Sequence, residues 1–204
     1  MNAIELPAPP PLLVVVSGPS GVGKDATLKR MQARGLPFHF VVTTTTRQQR
    51  PTEVEGVDYH FVSIAEYQDK LARGDFLEHA NVYGNLYGNS RSDIESALQR
   101  GADVIMRIDV QGAATIRTRV EGAIFIFLIS TMQELETRLR ARKTESEDAL
   151  RIRLDLAAQE MREQVHFDYC LRNSDSHLDE TVDDIIAIMR AEKLRTQPRQ
   201  IKFR

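Results

Sequence analysis

Cysteine is almost absent from this chain, since Cys170 is the only one among 204 residues. A single thiol excludes an internal disulfide framework, and the five scattered histidines show no metal-ligand spacing. We therefore expect a protein of a reducing, cytoplasmic compartment. Nothing next to Cys170 suggests an activated thiolate, so we interpret it as a packing residue in the core.

Long apolar runs and an excess of one charge are also missing. No run approaches the roughly 20 residues of a membrane span, and no basic region precedes the first hydrophobic stretch. The net charge is -2, which gives no global positive field of the kind that binds nucleic acid. We expect no membrane partner and no nucleic-acid partner, and phosphate recognition would have to come from local arginines.

The order of apolar runs predicts the fold class. With 204 residues and 42% hydrophobic content, the chain can form one compact domain. Strands alternate with helices at both ends, and a strand-rich stretch lies between about 38 and 90, which predicts a parallel α/β core flanked by helices with an inserted small sheet. Ligands of such sheets bind beyond the carboxyl ends of the strands, where the loops after Val16, Thr46 and Val110 would converge.

A glycine-rich loop follows the first apolar run. It reads Gly18-Pro19-Ser20-Gly21-Val22-Gly23-Lys24-Asp25, and a helix-like stretch begins at Ala26. Its glycines allow positive φ, so that backbone N–H groups and the helix N-terminus can point at one anion, and Lys24 adds a mobile charge for the outer phosphates. The order of strand, loop and helix favours a nucleoside triphosphate site over a flexible turn, with residues 18–26 at the ATP phosphates.

Asp25 departs from the usual pattern, in which Ser or Thr follows the lysine and binds Mg²⁺ through its hydroxyl. A carboxylate is a hard oxygen ligand and could hold Mg²⁺ directly or through water, but it also places negative charge beside the phosphates. We interpret Asp25 as part of an altered metal site that still binds Mg²⁺. The alternative is that the site no longer binds the ion.

Two arginines follow a strand rich in hydroxyl groups. They are Arg47 and Arg50, in the stretch Thr43-Thr44-Thr45-Thr46-Arg47-Gln48-Gln49-Arg50-Pro51. Guanidinium groups suit phosphate oxygens, so these arginines and one threonine hydroxyl could fix a monophosphate. The alternative is ordinary strand propensity followed by a solvated loop.

From about residue 11 to residue 195, the chain resembles the guanylate kinase family. Separated motifs agree with that family in order: the loop Gly18 to Lys24, Thr45-Thr46-Arg47-Gln48-Gln49-Arg50, Gly56-Val57-Asp58-Tyr59-His60-Phe61-Val62, Phe76-Leu77-Glu78-His79-Ala80, Tyr87-Gly88, Ile108-Asp109-Val110-Gln111-Gly112 and residues 138–147. The resemblance implies transfer of the γ-phosphoryl group of ATP to GMP, giving ADP and GDP, with Mg²⁺ required. It also implies a GMP-binding insert and a helical lid.

The resemblance assigns residues to GMP. It places Thr43, Arg47, Arg50 and Tyr59 at the GMP phosphate, and Glu78, Tyr87 and Asn89 beside the guanine or its phosphate. Guanine presents two donors, N1–H and the exocyclic amine, which one carboxylate can accept together, whereas adenine presents an acceptor at N1. The alternatives are an exposed strand carboxylate for Glu78 and half-buried core aromatics for the two tyrosines.

Asp109 closes an apolar strand and is placed to order Mg²⁺ waters or substrate hydroxyls. The resemblance puts it near GMP and the metal. Arg107 departs from the family, which usually carries an acidic residue there. We hypothesise that Asp25 and Arg107 form a compensated exchange of charge.

Arginines of the predicted lid complete the candidate catalytic set, which is Lys24, Arg47, Arg138, Arg142 and Arg153. Arg138 and Arg142 share one helix face, and the resemblance implies that the lid arginines stabilise charge on the migrating phosphoryl group. The alternative for Arg138 is a salt bridge with Glu134. Asn173 matches a family position near the adenine, or it forms a turn.

The expected organisation is a proline-rich lead-in at residues 1–11, a guanylate-kinase-like domain at 12–195 and a tail at 196–204. Within the domain we expect a core at 12–37 and 92–195, an insert at about 38–91 and a lid at about 138–153. A monomer or a homodimer would fit. Two other functions stay open: a kinase of a sugar phosphate such as ribose bisphosphate, and a catalytically silent guanylate-kinase-like module that grips an acidic or phosphorylated peptide.

Overall fold

The computed structural model describes residues 8–82, 84–141 and 147–204. Its strands are β1 (Leu13–Ser17), β2 (His39–Phe40), β3 (Thr43–Thr45), β4 (Tyr59–Phe61), β5 (Phe76–Val82), β6 (Asn85–Ser90), β7 (Val104–Arg107), β8 (Val120–Glu121), β9 (Ile124–Ile129), β10 (Tyr169–Arg172) and β11 (Lys202–Phe203). Its helices are α1 (Lys24–Ala33), α2 (Ile64–Ala72), α3 (Arg91–Gln99), α4 (Val110–Arg119), α5 (Met132–Ala141), α6 (Glu147–Glu160) and α7 (Leu178–Lys193), with 3-10 turns at Met161–His166 and Asp175–His177. Within those ranges no helix is long and apolar enough to cross a membrane.

The core is a five-stranded sheet in the order β10-β9-β1-β7-β2, and each neighbouring pair is parallel. Successive residues of β1 point to opposite faces, so that Val14 and Val16 join one buried cluster while Leu13 and Val15 join the other. Helices α1 and α7 cover the first face, and α3 and α4 cover the second. The predicted parallel α/β core is confirmed.

The insert is a second, mixed sheet in the order β4-β3-β6-β5. The β-branched and aromatic run from Phe38 to Thr46 forms two short strands, because β2 pairs with β7 of the core while β3 pairs with β4 and β6 of the insert. The chain therefore passes from core to insert at residues 41–42. This places the polar loop after β3 opposite the carboxyl ends of β1 and β7.

Cys170 is exposed, so its interpretation as a core packing residue is wrong. It lies on β10, the edge strand of the core sheet, where exposed and half-buried residues alternate. A short run of mixed residues does not reveal which of its two faces meets the core.

The segment 196–204, expected as a tail, contains β11, which pairs antiparallel with β8. The guanidinium of Arg199 donates to both carboxylate oxygens of buried Glu192, at 3.0 and 3.1 Å, and the Tyr169 hydroxyl donates to the same carboxylate at 2.6 Å. Burial alone would raise the pKa of Glu192, but the hydrogen bonds from Arg199 and Tyr169 hold it below its usual value. The last residues are thus anchored to the core by a buried charge.

Replacement of Arg199 by Met should lower the free energy of unfolding by about 2–4 kcal/mol, because the buried Glu192 loses its two charged hydrogen bonds and keeps the longer ion pair with exposed Arg195, at 3.6 Å. The double variant Arg199→Met with Glu192→Gln should recover most of that loss. Urea denaturation at neutral pH measures both. The loss should shrink as the pH falls and Glu192 takes up a proton, because a paired carboxylate stabilises the fold only while it is ionised.

The matched control is Arg204→Met, since Arg204 faces Glu121 in an exposed ion pair at 3.6 Å. Its loss should stay below about 1 kcal/mol. Equal losses for the Arg199 and Arg204 variants would show that the buried pair does not anchor the C-terminal segment.

Candidate nucleotide-binding site

One cavity of about 500 Å³ opens where the carboxyl ends of β1 and β7 face the insert. Most of the predicted site residues line it: Gly18, Ser20, Gly21, Val22, Gly23, Lys24, Asp25, Ala26, Thr43, Arg47, Arg50, Tyr59, Glu78, Tyr87, Asn89, Asp109, Arg138 and Arg153. Pro19 is not among the lining residues, and Arg142 lies outside the described residues. The phosphate loop and the side chains of the insert, which are far apart in sequence, thus line the same cavity.

The phosphate loop needs glycine for two physical reasons. Gly18 and Gly23 have φ values of 142° and 98°, which side chains rarely adopt. A Cβ on Gly18 would lie 2.4 Å from the carbonyl oxygen of Leu128, and one on Gly23 would lie 2.6 Å from Nδ2 of Asn173. The loop therefore packs its backbone directly against neighbouring elements, and α1 begins at Lys24, two residues before the predicted start.

Lys24 turns back on its own loop, and its Nζ donates to the carbonyl oxygens of Gly18 at 2.5 Å and Pro19 at 3.2 Å. Burial lowers the pKa of Lys24, while the carboxylates of Glu160, Asp25 and Asp109 oppose that shift. These contacts keep the ammonium group satisfied inside the cavity, from which it can extend to a phosphate.

Three side chains from distant elements hold the loop in place. The carboxylate of Glu160 accepts from the Ser20 N–H at 3.0 Å, while Nδ2 of Asn173 and Nη1 of Arg138 donate to the Val22 carbonyl at 2.7 and 3.0 Å. Burial raises the pKa of Glu160, and Lys24 opposes this. Sequence reasoning missed Glu160, because it ends α6 with no local motif and meets the loop only through the fold.

The two departures from the family pattern contact each other. Nη1 of Arg107 lies 2.8 Å from Oδ1 of Asp25, and the Arg107 side chain is only 10% exposed. Arg107 also donates from Nη2 to the carbonyl of Asp58 at 3.1 Å, and its guanidinium carbon lies 4.6 Å from the centre of the Tyr59 ring. The hypothesis of an exchanged pair of charges is thus matched by an ion pair at the edge of the cavity.

Glu53 accepts hydrogen bonds from both arginines of the loop after β3. Its carboxylate accepts from Nη2 of Arg47 at 2.8 Å and from the backbone N–H of Arg50 at 2.8 Å. Burial would raise the pKa of Glu53, but the hydrogen bonds from these residues keep it below its usual value. Sequence reasoning missed Glu53, which reads as one more polar residue of a turn-rich loop. The Arg47 guanidinium also lies 5.1 Å from the Tyr59 ring centre.

Glu78 is 2% exposed, so the alternative of an exposed strand carboxylate is wrong. A chain of hydrogen bonds fixes it: the Thr43 hydroxyl donates to Oδ1 of Asn89 at 2.9 Å, and Nδ2 of Asn89 donates to Oε2 of Glu78 at 2.7 Å. Burial raises the pKa of Glu78 to about 7, against the hydrogen bond from Asn89 and with a further contribution from the nearby charge of Asp109. Thr43, Asn89 and Glu78 together form a hydrogen-bonded polar wall of the cavity.

Asp109 serves the fold as well as the cavity, because its Oδ1 accepts from the Gly112 N–H at 2.7 Å and caps α4. Gly112 leaves room for the polar wall, since a Cβ there would lie 2.6 Å from Oε1 of Glu78. The capping contact orients the Asp109 carboxylate at the end of β7, on the cavity lining.

Comparisons with known proteins agree with this geometry. A family model described as guanylate kinase matches residues 11–192. The chain is 43% identical over 199 residues to guanylate kinase 2, chloroplastic/mitochondrial, of Oryza sativa, covering 97% of this chain and 70% of that protein. It is 42% identical over 189 residues to a guanylate kinase of Symbiobacterium thermophilum, covering 92% and 89%.

The fold comparison gives the same family. The crystal structure of guanylate kinase from Anaplasma phagocytophilum superposes with a TM-score of 0.75 at 32% identity, covering 92% of this chain and 89% of that one. The match of the family model and the length of these alignments show that the chain belongs to the guanylate kinase family.

Proposed function

We propose that this chain binds ATP and GMP in the cavity described above and transfers the γ-phosphoryl group from ATP to GMP, giving ADP and GDP. The observation that carries the proposal is that the phosphate loop and the wall formed by Thr43, Asn89 and Glu78 line the same cavity. A kinase must bring its donor and its acceptor within bonding distance, and a cavity shared by the two sets of residues provides for this.

Lys24 and the loop N–H groups would bind the donor phosphates. When ATP enters, the Nζ of Lys24 exchanges its contacts with the Gly18 and Pro19 carbonyls for phosphate oxygens. Arg138 and Arg153, which line the same cavity, would stabilise the charge that spreads over the migrating group.

Arg47 and Arg50 would hold the acceptor phosphate, with Tyr59 beside them. The second pKa of a phosphate monoester is about 6, so the attacking oxygen of GMP is already ionised at neutral pH. No side chain has to remove a proton from it, and none has to form a covalent bond. The residues of the cavity act by position and charge.

Mg²⁺ would be held by Asp25 and Asp109 together with the phosphates. Within the described residues no group of three or more His, Cys, Asp or Glu side chains could bind a metal alone, and both aspartates line the cavity. This donor set fits Mg²⁺, which is bound by one or two carboxylates plus substrate phosphates. When bound, the ion neutralises charge on the phosphates.

The deciding assay is ADP formation from ATP and Mg²⁺ with GMP, AMP or ribose bisphosphate offered separately. We expect turnover with GMP and a preference for GMP over AMP on the order of 10⁴, because AMP does not supply the two base donors that the Glu78 carboxylate can accept besides Asn89. In Glu78→Gln the preference should fall by at least about 100-fold, with Glu66→Gln on the exposed face of α2 as the control. Turnover only with the sugar phosphate, or GMP binding without turnover, would reject the proposed reaction.

Replacement of Lys24 by Met should reduce kcat by at least about 100-fold, because the charge it places on the outer phosphates is lost in the transition state. The matched control is Lys202→Met, an exposed lysine of β11 outside the cavity lining. Steady-state kinetics with both substrates varied separates kcat from KM. A Lys24 variant that changed only the KM of GMP would contradict the donor-side role.

The affinity for GMP should rise with pH through the pKa of Glu78, which burial raises to about 7. Only the ionised carboxylate accepts both guanine donors, so the dissociation constant of GMP should fall about tenfold between pH 6 and pH 8. Calorimetric titration checks this. Glu78→Gln is the control, because it keeps the titration of the GMP phosphate and should lose the remaining dependence; an identical pH profile in that variant would remove Glu78 from the guanine site.

A further inference from the structure

Arg107 contacts both halves of the cavity. It ends β7 in the core sheet, and its guanidinium contacts Asp25 of the phosphate loop at 2.8 Å. On the other side it reaches the insert, with Tyr59 4.6 Å away at the ring centre and the Asp58 carbonyl at 3.1 Å. One side chain thus touches the donor loop and the acceptor site at once.

Arg107 offsets negative charge beside the phosphate loop. The carboxylates of Glu160, Asp25 and Asp109 all act on Lys24, so the loop cation lies among several negative charges. The Arg107 guanidinium lies 2.8 Å from Asp25 and compensates that one carboxylate. The Arg107 side chain is 10% exposed and the Asp25 side chain 43% exposed, so solvent screens this pair in part, and less than it screens a pair with two exposed partners.

A second effect concerns the acceptor side. The Tyr59 ring has two guanidinium groups as neighbours, Arg47 at 5.1 Å and Arg107 at 4.6 Å. Lys29 adds another tie between α1 and the insert, because its Nζ lies 2.7 Å from Oδ1 of Asp58. Arg107 therefore supports the ring and the loop that carry the proposed GMP phosphate contacts.

We propose that Arg107 determines nucleotide affinity at both sites, by compensating Asp25 in the donor loop and by positioning Tyr59 in the acceptor site. The proposal rests on the function proposed above, and it adds a residue that the family pattern does not supply. Asp25 and Arg107 compensate each other, because the charge of each at the cavity edge is neutralised by the other.

The two effects separate in a double-mutant experiment. Dissociation constants of ADP and GMP are measured by calorimetry in excess EDTA, so that neither turnover nor Mg²⁺ enters the result. In Arg107→Met both ligands should bind about tenfold more weakly, which corresponds to about 1.4 kcal/mol. For ADP the cause is the loss of the Arg107 charge that compensates the Asp25 carboxylate, and for GMP it is the loss of the cation at Tyr59.

Addition of Asp25→Ser to Arg107→Met should restore ADP affinity to within about threefold, because the repelling carboxylate is gone. The same double variant should keep the GMP defect, since Tyr59 still lacks its neighbour. Arg107→Lys, which keeps the charge but loses the planar group, should retain ADP affinity and lose part of the GMP affinity. A merely structural role for Arg107 would weaken both ligands together and show no selective rescue.

Arg30→Met is the control, because Arg30 also joins α1 to a carboxylate, that of Asp179 at 2.7 Å, but lies outside the cavity lining. It should leave both dissociation constants within twofold, and thermal unfolding of every variant checks the fold. Unchanged affinities in Arg107→Met, or no recovery of ADP binding in the double variant, would overturn the proposal. Failure of the unaltered protein to bind GMP would instead reject the proposed function, while the ADP measurements would still test the pairing of Asp25 with Arg107.

Discussion

The cavity has to hold several cations close together in the absence of any phosphate, and the structure meets this constraint with internal carboxylates. Arg47 contacts Glu53, Arg107 contacts Asp25, and the charges of Glu160, Asp25 and Asp109 act on Lys24. Without such partners the like charges would repel one another in a partly desolvated space. The carboxylates keep the cations in place, and an entering phosphate only has to share or exchange them.

The arrangement of the core sheet and the insert brings these charged side chains together. Alternating apolar residues bury β1 between helices on both faces, and this forces the polar residues that follow β1 and β7 out at one edge. The insert then leaves the core between β2 and β3 and returns through β6 into α3. Its arginine loop, with Arg47 and Arg50, therefore lies across the cavity from the phosphate loop.

The sequence predicts those parts of the site that are determined by short runs of neighbouring residues. Glycine spacing and the apolar run before it are enough to predict the phosphate loop, and the resemblance points to Glu78 and to the arginines after β3. The carboxylates that bind these residues could not be predicted from the sequence. Glu160 contacts Ser20, which is 140 residues away in the chain, and Glu53, which binds Arg47, belongs to no recognisable motif. The exposure of Cys170 and the division between β2 and β3 depend on strand pairing, which no short run of residues encodes.

In the proposed function, the recognition of guanine depends on the cost of burying the Glu78 carboxylate. Glu78 is buried and its pKa is raised, so its ionised form is disfavoured until a ligand donates hydrogen bonds to it. Asn89 supplies one of these bonds permanently, which fixes the orientation of the carboxylate and leaves the remaining acceptor capacity unsatisfied in the cavity. A base with two adjacent donors removes that penalty, whereas a base with an acceptor at the same position adds repulsion to it. Burial thus converts a small difference between two purines into a large difference in affinity.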